Sequence, residues 1–289
     1  MNIVILGASG QIGSVIRTGL AGRHNVTGTS RKQLPRLVQF DPFNNDWSML
    51  GKPDVLINCI GQISPGTGSS FHAAHVGVTR CILDNRLLLG TPRIIQISAL
   101  GASSNHHVCF LRTKGIADDI LLQHRNTVVI RPSIVCTPGT MVVKKMRMLS
   151  GIARWSCGLL PVPKGFADTK LQPVMPRDLA DLVNVLCDNG HEGIVSIGGS
   201  EAITFREIIN IMAKSVDSRI RLMEIPRLIT DVVITGMIGI MFPNLISETQ
   251  YRLLFEDNVT DTRDAERLLS RRPGSTRNFF KNEFSHARN

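Results

Sequence analysis

The sequence predicts an α/β fold, a doubly wound parallel sheet with a smaller C-terminal α/β lobe. Three observations predict it. Short β-rich apolar runs alternate with helix-length segments over the first half, a glycine-rich turn joins the first run to the first helix, and the rhythm changes after Pro132. Apolar strands joined through helices form parallel sheets buried on both faces, because a parallel neighbour needs a crossover of that length.

The elements follow in order. Candidate strands are residues 3–6, 26–30, 37–40, 55–59, 94–98 and 128–131, with helical segments 11–20, 69–89 and 108–123 between most of them. Beyond Pro132, "MVVKKMRMLSGIARW" reads as a basic amphipathic helix and "PVPKG" as a turn-rich link. "PRDLADLVNVLCDNG" reads as a helix with Pro176 near its start and Gly190 at its end. "GIVSIGG" is a candidate strand, and Thr204 with Glu207 three residues later forms a capping box that opens another helix. The expected division is residues 1–135 for the sheet domain. Residues 136–289 form a lobe over its C-terminal edge, partly interleaved with the sheet.

Composition narrows the function. Hydrophobic residues make up 43% of the 289 and charged residues 19%, a folded composition with no disordered tract. A formal charge of +10 favours anionic partners: nucleotides, an acidic protein or an anionic membrane surface. No nucleic-acid-binding motif is present, and nucleic acid is not expected. The scattered cysteines make no CxxC pair, which suits reduced thiols in a cytoplasmic compartment. His72 with His75, and His106 with His107, have no carboxylate or thiolate nearby in sequence at metal-site spacing, so no metal is expected. "MNIVILGASG" enters a strand at once, so no signal peptide is expected. The uncharged stretch 232–247 is shorter than the roughly 20 residues of a membrane span. The expected location is cytoplasmic, with peripheral membrane association through the basic helix 141–154 and the apolar stretch 232–247 as a further expectation.

"VILGASGQIGSVI" places Gly7, Gly10 and Gly13 between a strand and a helix. Such a turn brings a pyrophosphate against backbone N–H groups at a helix amino terminus, as in a Rossmann fold. At the end of the second strand, an NAD site carries an acid for the ribose 2′-hydroxyl. This chain has Ser30, Arg31 and Lys32 there, and no acid before Asp41. Arg31 suits a 2′-phosphate, so NADP(H) is the expected cofactor and NAD(H) the less favoured one. Asp41 is expected to accept from the adenine amino group or to cap a turn before Pro42.

These motifs, followed by "DVLINCIGQIS", "IIQISALGA", "TKG" and "VVIRPSIVCTPGT", resemble the short-chain dehydrogenase/reductase superfamily in its extended and atypical branches. "VMPRDLADLVNVL", "GIVSIGGSEAITFREIINIMA", "IPRLI" and "ISETQYRLLFEDNV" are similar to the branch holding the NAD(P)H-binding accessory subunit of respiratory complex I and its bacterial relatives. The resemblance implies cofactor contacts from Ser9, Gln11, Ile12, Cys59, Gly61, Lys114 and Pro132 beside the glycines. It implies catalytic roles for Ser98, which would polarise a carbonyl, and Lys114, which would bind the nicotinamide ribose. The superfamily's proton-transferring tyrosine falls on Phe110, and the chain's one tyrosine is Tyr251. A phenyl ring has no proton to exchange. Two readings follow: an NADP(H)-binding protein with little or no carbonyl reduction, or an oxidoreductase or isomerase using a substitute donor among His106, His107, Cys109 and Lys114. A weaker third is a regulator in which nucleotide state controls a protein interface.

Overall fold

Val, Ile and Leu at alternate and adjacent positions make the first strand, β1 (Asn2–Leu6), which is buried from its second residue on. A computed structural model describes residues 1–63, 70–137, 158–215, 220–232 and 248–285. The strands that follow are β2 (Asn25–Ser30), β3 (Val38–Gln39), β4 (Val55–Asn58), β5 (Arg93–Ile97) and β6 (Thr127–Pro132). With β9 (Gly193–Ile197) they form one seven-stranded sheet in the order β3-β2-β1-β4-β5-β6-β9. Every pairing in it is parallel. The chain winds outward from β1 through β2 to β3, then resumes on the other side at β4. The strand order therefore reverses between β1 and β4, and it is above the carboxyl ends of strands at such a reversal that doubly wound sheets form a binding crevice.

Both faces are covered. Helix α1 (Gln11–Leu20) lies on one face, where Ile3, Ile5, Ile57 and Ile95 meet Ile16 and Leu20. The opposite face buries Val4, Leu56, Ile94 and Val129 against Trp47, Val78, Ile82 and Leu121. The last of these belong to α2 (Val78–Asp84) and α3 (Cys109–Leu121). A π-helical turn, Ala73–Gly77, leads directly into α2. The helix expected over 69–89 stops earlier than its apolar pattern. Asn85 caps it, and Gly90 at φ +78° and Thr91 at φ +56° then turn the chain toward β5.

The second half adds to the same body. Helix α4 (Pro176–Asp188) starts with proline in its first turn, where the missing N–H costs nothing. It packs across α1 so closely that a Cβ on Gly19 would stand 2.5 Å from Ala180 Cβ. From α4 the chain enters β9, which pairs with β6. The remaining core is a lobe of its own, with Leu160, Val162, Phe166, Phe205, Ile208, Phe280 and Phe284 buried together. Around it stand two small sheets, β7 (Leu159–Pro163) with β11 (Arg221–Ile225), and β8 (Lys170–Leu171) with β10 (Ile203–Thr204). The helices α5 (Phe205–Ser215), α6 (Arg227–Val232), α7 (Glu248–Leu253), α8 (Arg263–Leu269) and α9 (Thr276–Ser285) complete the order. The basic helix expected over 141–154 and nearly all of the apolar stretch 232–247 lie outside the described residues. No helix among the described residues is long and apolar enough to cross a membrane.

Candidate functional site

The turn after β1 is built for close approach. Gly7 sits at φ +74°, a left-handed conformation that side chains resist, and its N-terminal strand ends beside Cys59 and Ile60 of the turn after β4. A Cβ on Gly13 would stand 2.2 Å from the Gly7 carbonyl oxygen, so α1 can meet the turn only with glycine there. Gly10 is the N-cap of α1 and brings no side chain to cap it. The helix therefore presents its first-turn N–H groups, those of Gln11, Ile12 and Gly13, with their positive dipole end toward the crevice. Ser9 and Gln11 are exposed at this lip, and the Gln11 amide donates to Thr137 Oγ1 beyond β6.

At the end of β2, Ser30 is buried and accepts from the Lys32 N–H at 3.2 Å, while Arg31 and Lys32 are exposed. Asp41 is committed to a turn. Its oxygens accept from the Phe43 N–H at 3.1 Å and Asn44 Nδ2 at 3.0 Å, and its own N–H donates to Asn45 at 2.6 Å. Of its two expected roles, the geometry displays the turn.

The middle of the sheet edge carries Lys114. Helix α3 places it between the ends of β4 and β5, buried, with Nζ donating to the Ile97 carbonyl at 2.8 Å. A Cβ on Gly61 would stand 3.1 Å from that nitrogen, so Lys114 faces the turn holding Cys59 and Gly61. Burial pulls the ammonium down to about 8, opposed by the charges of Asp118 and Cys59. Burial also pushes the Cys59 thiol up to about 12, against the pull of Lys114. Pro132 ends β6 and accepts from the Leu100 N–H at 3.0 Å.

Ser98 lies close by, but its hydroxyl donates to Asp118 Oδ2 at 2.7 Å, and Arg131 reaches the same oxygen through Nε at 3.0 Å. The other carboxylate oxygen is buried without a hydrogen-bond partner among the described residues. Burial raises the Asp118 pKa, while Ser98 and Arg131 oppose that rise.

Phe110, one turn before Lys114, lies in an aromatic cluster. Its ring meets that of His75 edge-on at 5.6 Å and that of Phe71 at 6.1 Å. His75 is buried, with Nδ1 at 2.8 Å from Thr113 Oγ1 and Nε2 accepting from the Gln62 N–H at 3.4 Å. Because Nε2 accepts, the ring's proton sits on Nδ1 and the imidazole is neutral. Burial, then the Lys114 charge, lowers its pKa to about 3. The hydroxyl of Tyr251 lies 3.2 Å from Thr230 in the C-terminal lobe.

Sequence reading missed one constellation. Glu256 comes from about 150 residues away to meet both His106 Nε2 at 3.3 Å and His107 Nε2 at 3.1 Å, and the two imidazoles stack at 4.7 Å. The carboxylate absent from the local sequence is thus present in space. Val108 donates its N–H to His106 Nδ1 at 3.0 Å, which leaves the proton of the neutral ring on Nε2, facing Glu256. The ring nitrogens and a carboxylate oxygen lie within 4.8 Å of one another, with the rings near-parallel at 20°. The cluster is a clamp between the segment before α3 and the segment after α7.

No family profile matches the chain. It is 30% identical over 200 residues to NADH dehydrogenase [ubiquinone] 1 alpha subcomplex subunit 9, mitochondrial, of Arabidopsis thaliana, covering 65% of this chain and 48% of that protein. The chain spans about half the length of that curated relative. Among solved structures it superposes on MoeE5 in complex with UDP-glucuronic acid and NAD at TM-score 0.73 and 16% identity, covering 100% of this chain and 99% of the other. RMD from Pseudomonas aeruginosa complexed with NADPH follows at TM-score 0.69 and 14% identity, with 99% of each chain covered. The chain therefore has the doubly wound parallel-sheet fold of these solved structures, and is similar in sequence to alpha subcomplex subunit 9.

Proposed function

We propose that the protein binds NADP(H) at the crevice above β1 and β4 and carries out little or no carbonyl reduction. Phe110 carries this reading. The position from which the superfamily delivers a proton holds a phenyl ring packed on a neutral, buried His75. Lys114 gives one of its three N–H donors to the Ile97 carbonyl, and the Ser98 hydroxyl donates to Asp118. Hydride transfer to a carbonyl without an acid leaves an unprotonated alkoxide, and general acid catalysis contributes roughly 10²–10⁴-fold. Bound nucleotide then acts as a stabilising or sensing ligand by mass action. Arg31, exposed beside a strand end with no acid, supports NADP(H) over NAD(H). Similarity to alpha subcomplex subunit 9 and the net charge of +10 support docking on an acidic protein or anionic membrane surface, weakened by salt.

Calorimetric titration with NADPH and NADH, followed by NADPH oxidation assays on ketones, aldehydes, quinones and nucleotide sugars, tests the reading. Tighter NADPH binding without turnover is expected, with Arg31→Ala removing about 1–3 kcal/mol of the preference. Rapid turnover that is lost on changing His107, Cys109 or Lys114 would replace it with the substitute-donor reading.

A further inference from the structure

The end of β2 gathers positive charge with no acid to offset it. Arg31, Lys32 and Arg36 are exposed around the following turn. The nearest carboxylate in the sequence, Asp41, has both oxygens in its own turn. A further cation approaches from beneath. Arg17, in the second turn of α1, has its Cδ 3.0 Å from where a Cβ would stand on Gly28, with Leu37 Cδ2 at 2.8 Å and Ala8 Cβ at 2.7 Å. Glycine at 28 thus leaves a hollow that the stem of Arg17 fills. The Nε of Arg17 is buried and has no hydrogen-bond partner among the described residues. A buried donor without an acceptor is costly unless a ligand supplies one.

The direction of that side chain follows from the fold. A Cβ on Gly28 would meet Arg17 of α1, so the β2 face bearing positions 26, 28 and 30 is the one covered by α1. Ser30 stands two residues beyond Gly28, about 6.6 Å up the strand. Side chains on a helix lean toward its amino terminus. The amino terminus of α1 is at the crevice, on the same edge as the end of β2. The Arg17 stem therefore rises along β2 toward Ser30 and Arg31.

We propose that Arg17 is a second ligand of the adenosine 2′-phosphate, holding it from the protein side while Arg31 holds it from solvent. This rests on the NADP(H) reading above and assigns it a further specificity residue. The phosphate offers three free oxygens, enough for two guanidinium groups. The ribose 2′-hydroxyl of NAD(H) offers one weak acceptor and leaves the buried Nε unrelieved. Arg17 acts on the choice between cofactors and not on the pyrophosphate, which lies at the glycine turn.

The test uses the full chain and four probes, NADPH, NADH, 2′,5′-ADP and ADP, titrated calorimetrically. Arg17→Met keeps a stem over Gly28 and removes the charge. It is expected to weaken NADPH and 2′,5′-ADP about 10- to 100-fold, the span of a charge-assisted pair. NADH and ADP binding, and the melting temperature without nucleotide, stay unchanged. Arg17→Lys, which keeps a charge but loses the fork, gives an intermediate selectivity and serves if the methionine variant does not fold. Equal weakening of both dinucleotides, or of neither, overturns the proposal. If NADPH selectivity survives Arg17→Met but falls in Arg31→Ala, the NADP(H) reading stands and Arg17 alone is excluded. If the unmutated protein binds both dinucleotides equally, or neither, the NADP(H) reading itself fails and the role of Arg17 fails with it.

Discussion

Gly10 and Gly13 share one motif but answer different needs. A Cβ on Gly10 would meet only the Gly7 oxygen at 3.2 Å, whereas one on Gly13 would be driven 2.2 Å from it and 2.9 Å from Ala8 Cα. Gly10→Ala should therefore fold normally and lose nucleotide affinity, because its methyl occupies pyrophosphate space. Gly13→Ala should lose about 3 kcal/mol of stability with or without ligand. Urea unfolding alongside NADPH titration separates the two, and an unstable Gly10→Ala would show that the motif serves packing alone. His75 makes a different prediction at the same scale. Its unfolded-state pKa is near 6.5 and its folded value about 3, so below pH 6.5 the unfolded chain binds the extra proton. Its contribution is complete above pH 6.5 and is lost as pH falls toward 3. Between pH 7 and 5 the protein should lose roughly 2 kcal/mol more than His75→Asn, whose amide can still donate to Thr113. Parallel stability curves for the two proteins would refute the buried neutral imidazole.

At the scale of elements, the capping box is present as read. Thr204 Oγ1 accepts from the Glu207 N–H at 3.2 Å, and Glu207 Oε2 accepts from the Thr204 N–H at 2.9 Å. Thr204→Ala should cost about 1 kcal/mol in denaturant unfolding, and an unchanged midpoint would show that lobe packing alone holds α5. This box was legible because it is written within four residues. So were β1, α1 and the glycine turn between them, where period, composition and spacing agree. The pairings β7–β11 and β8–β10 were not. β8 and β10 have two residues each and so no period, and the five-residue β7 and β11 pair across about 60 residues of chain. The same holds for the site. Lys114 and Phe110 could be placed by motif, but Asp118 drawing off the Ser98 hydroxyl and Glu256 clasping His106 and His107 are contacts that only the tertiary fold creates.

For the whole molecule, the N-terminal segment is fixed as a central strand of the large sheet, whereas the C-terminal segment is tied back by ion pairs and by the buried Phe280 and Phe284. Arg271 reaches Asp178 and Asp181 on α4, and Arg277 reaches Glu207 on α5. Asn258 accepts from the Ile134 N–H just past β6 at 3.4 Å, while its own N–H donates to the Lys170 carbonyl at 2.8 Å. The sheet half and the later lobe are thereby laced together.

The place of β9 at the edge of the large sheet has a consequence for how the chain is made. Its partner β6 leaves the ribosome about 60 residues earlier, as the separation of Val128 and Gly193 shows. Until β9 emerges, the backbone of Val128, Val129 and Ile130 is an open hydrogen-bonding edge. Until α4 emerges, Ile16 and Leu20 of α1 lack their cover. Nascent chains stalled before residue 193 should thus be sticky and in need of chaperones, and a fragment cut at residue 137 should aggregate where one cut past β9 stays dispersed.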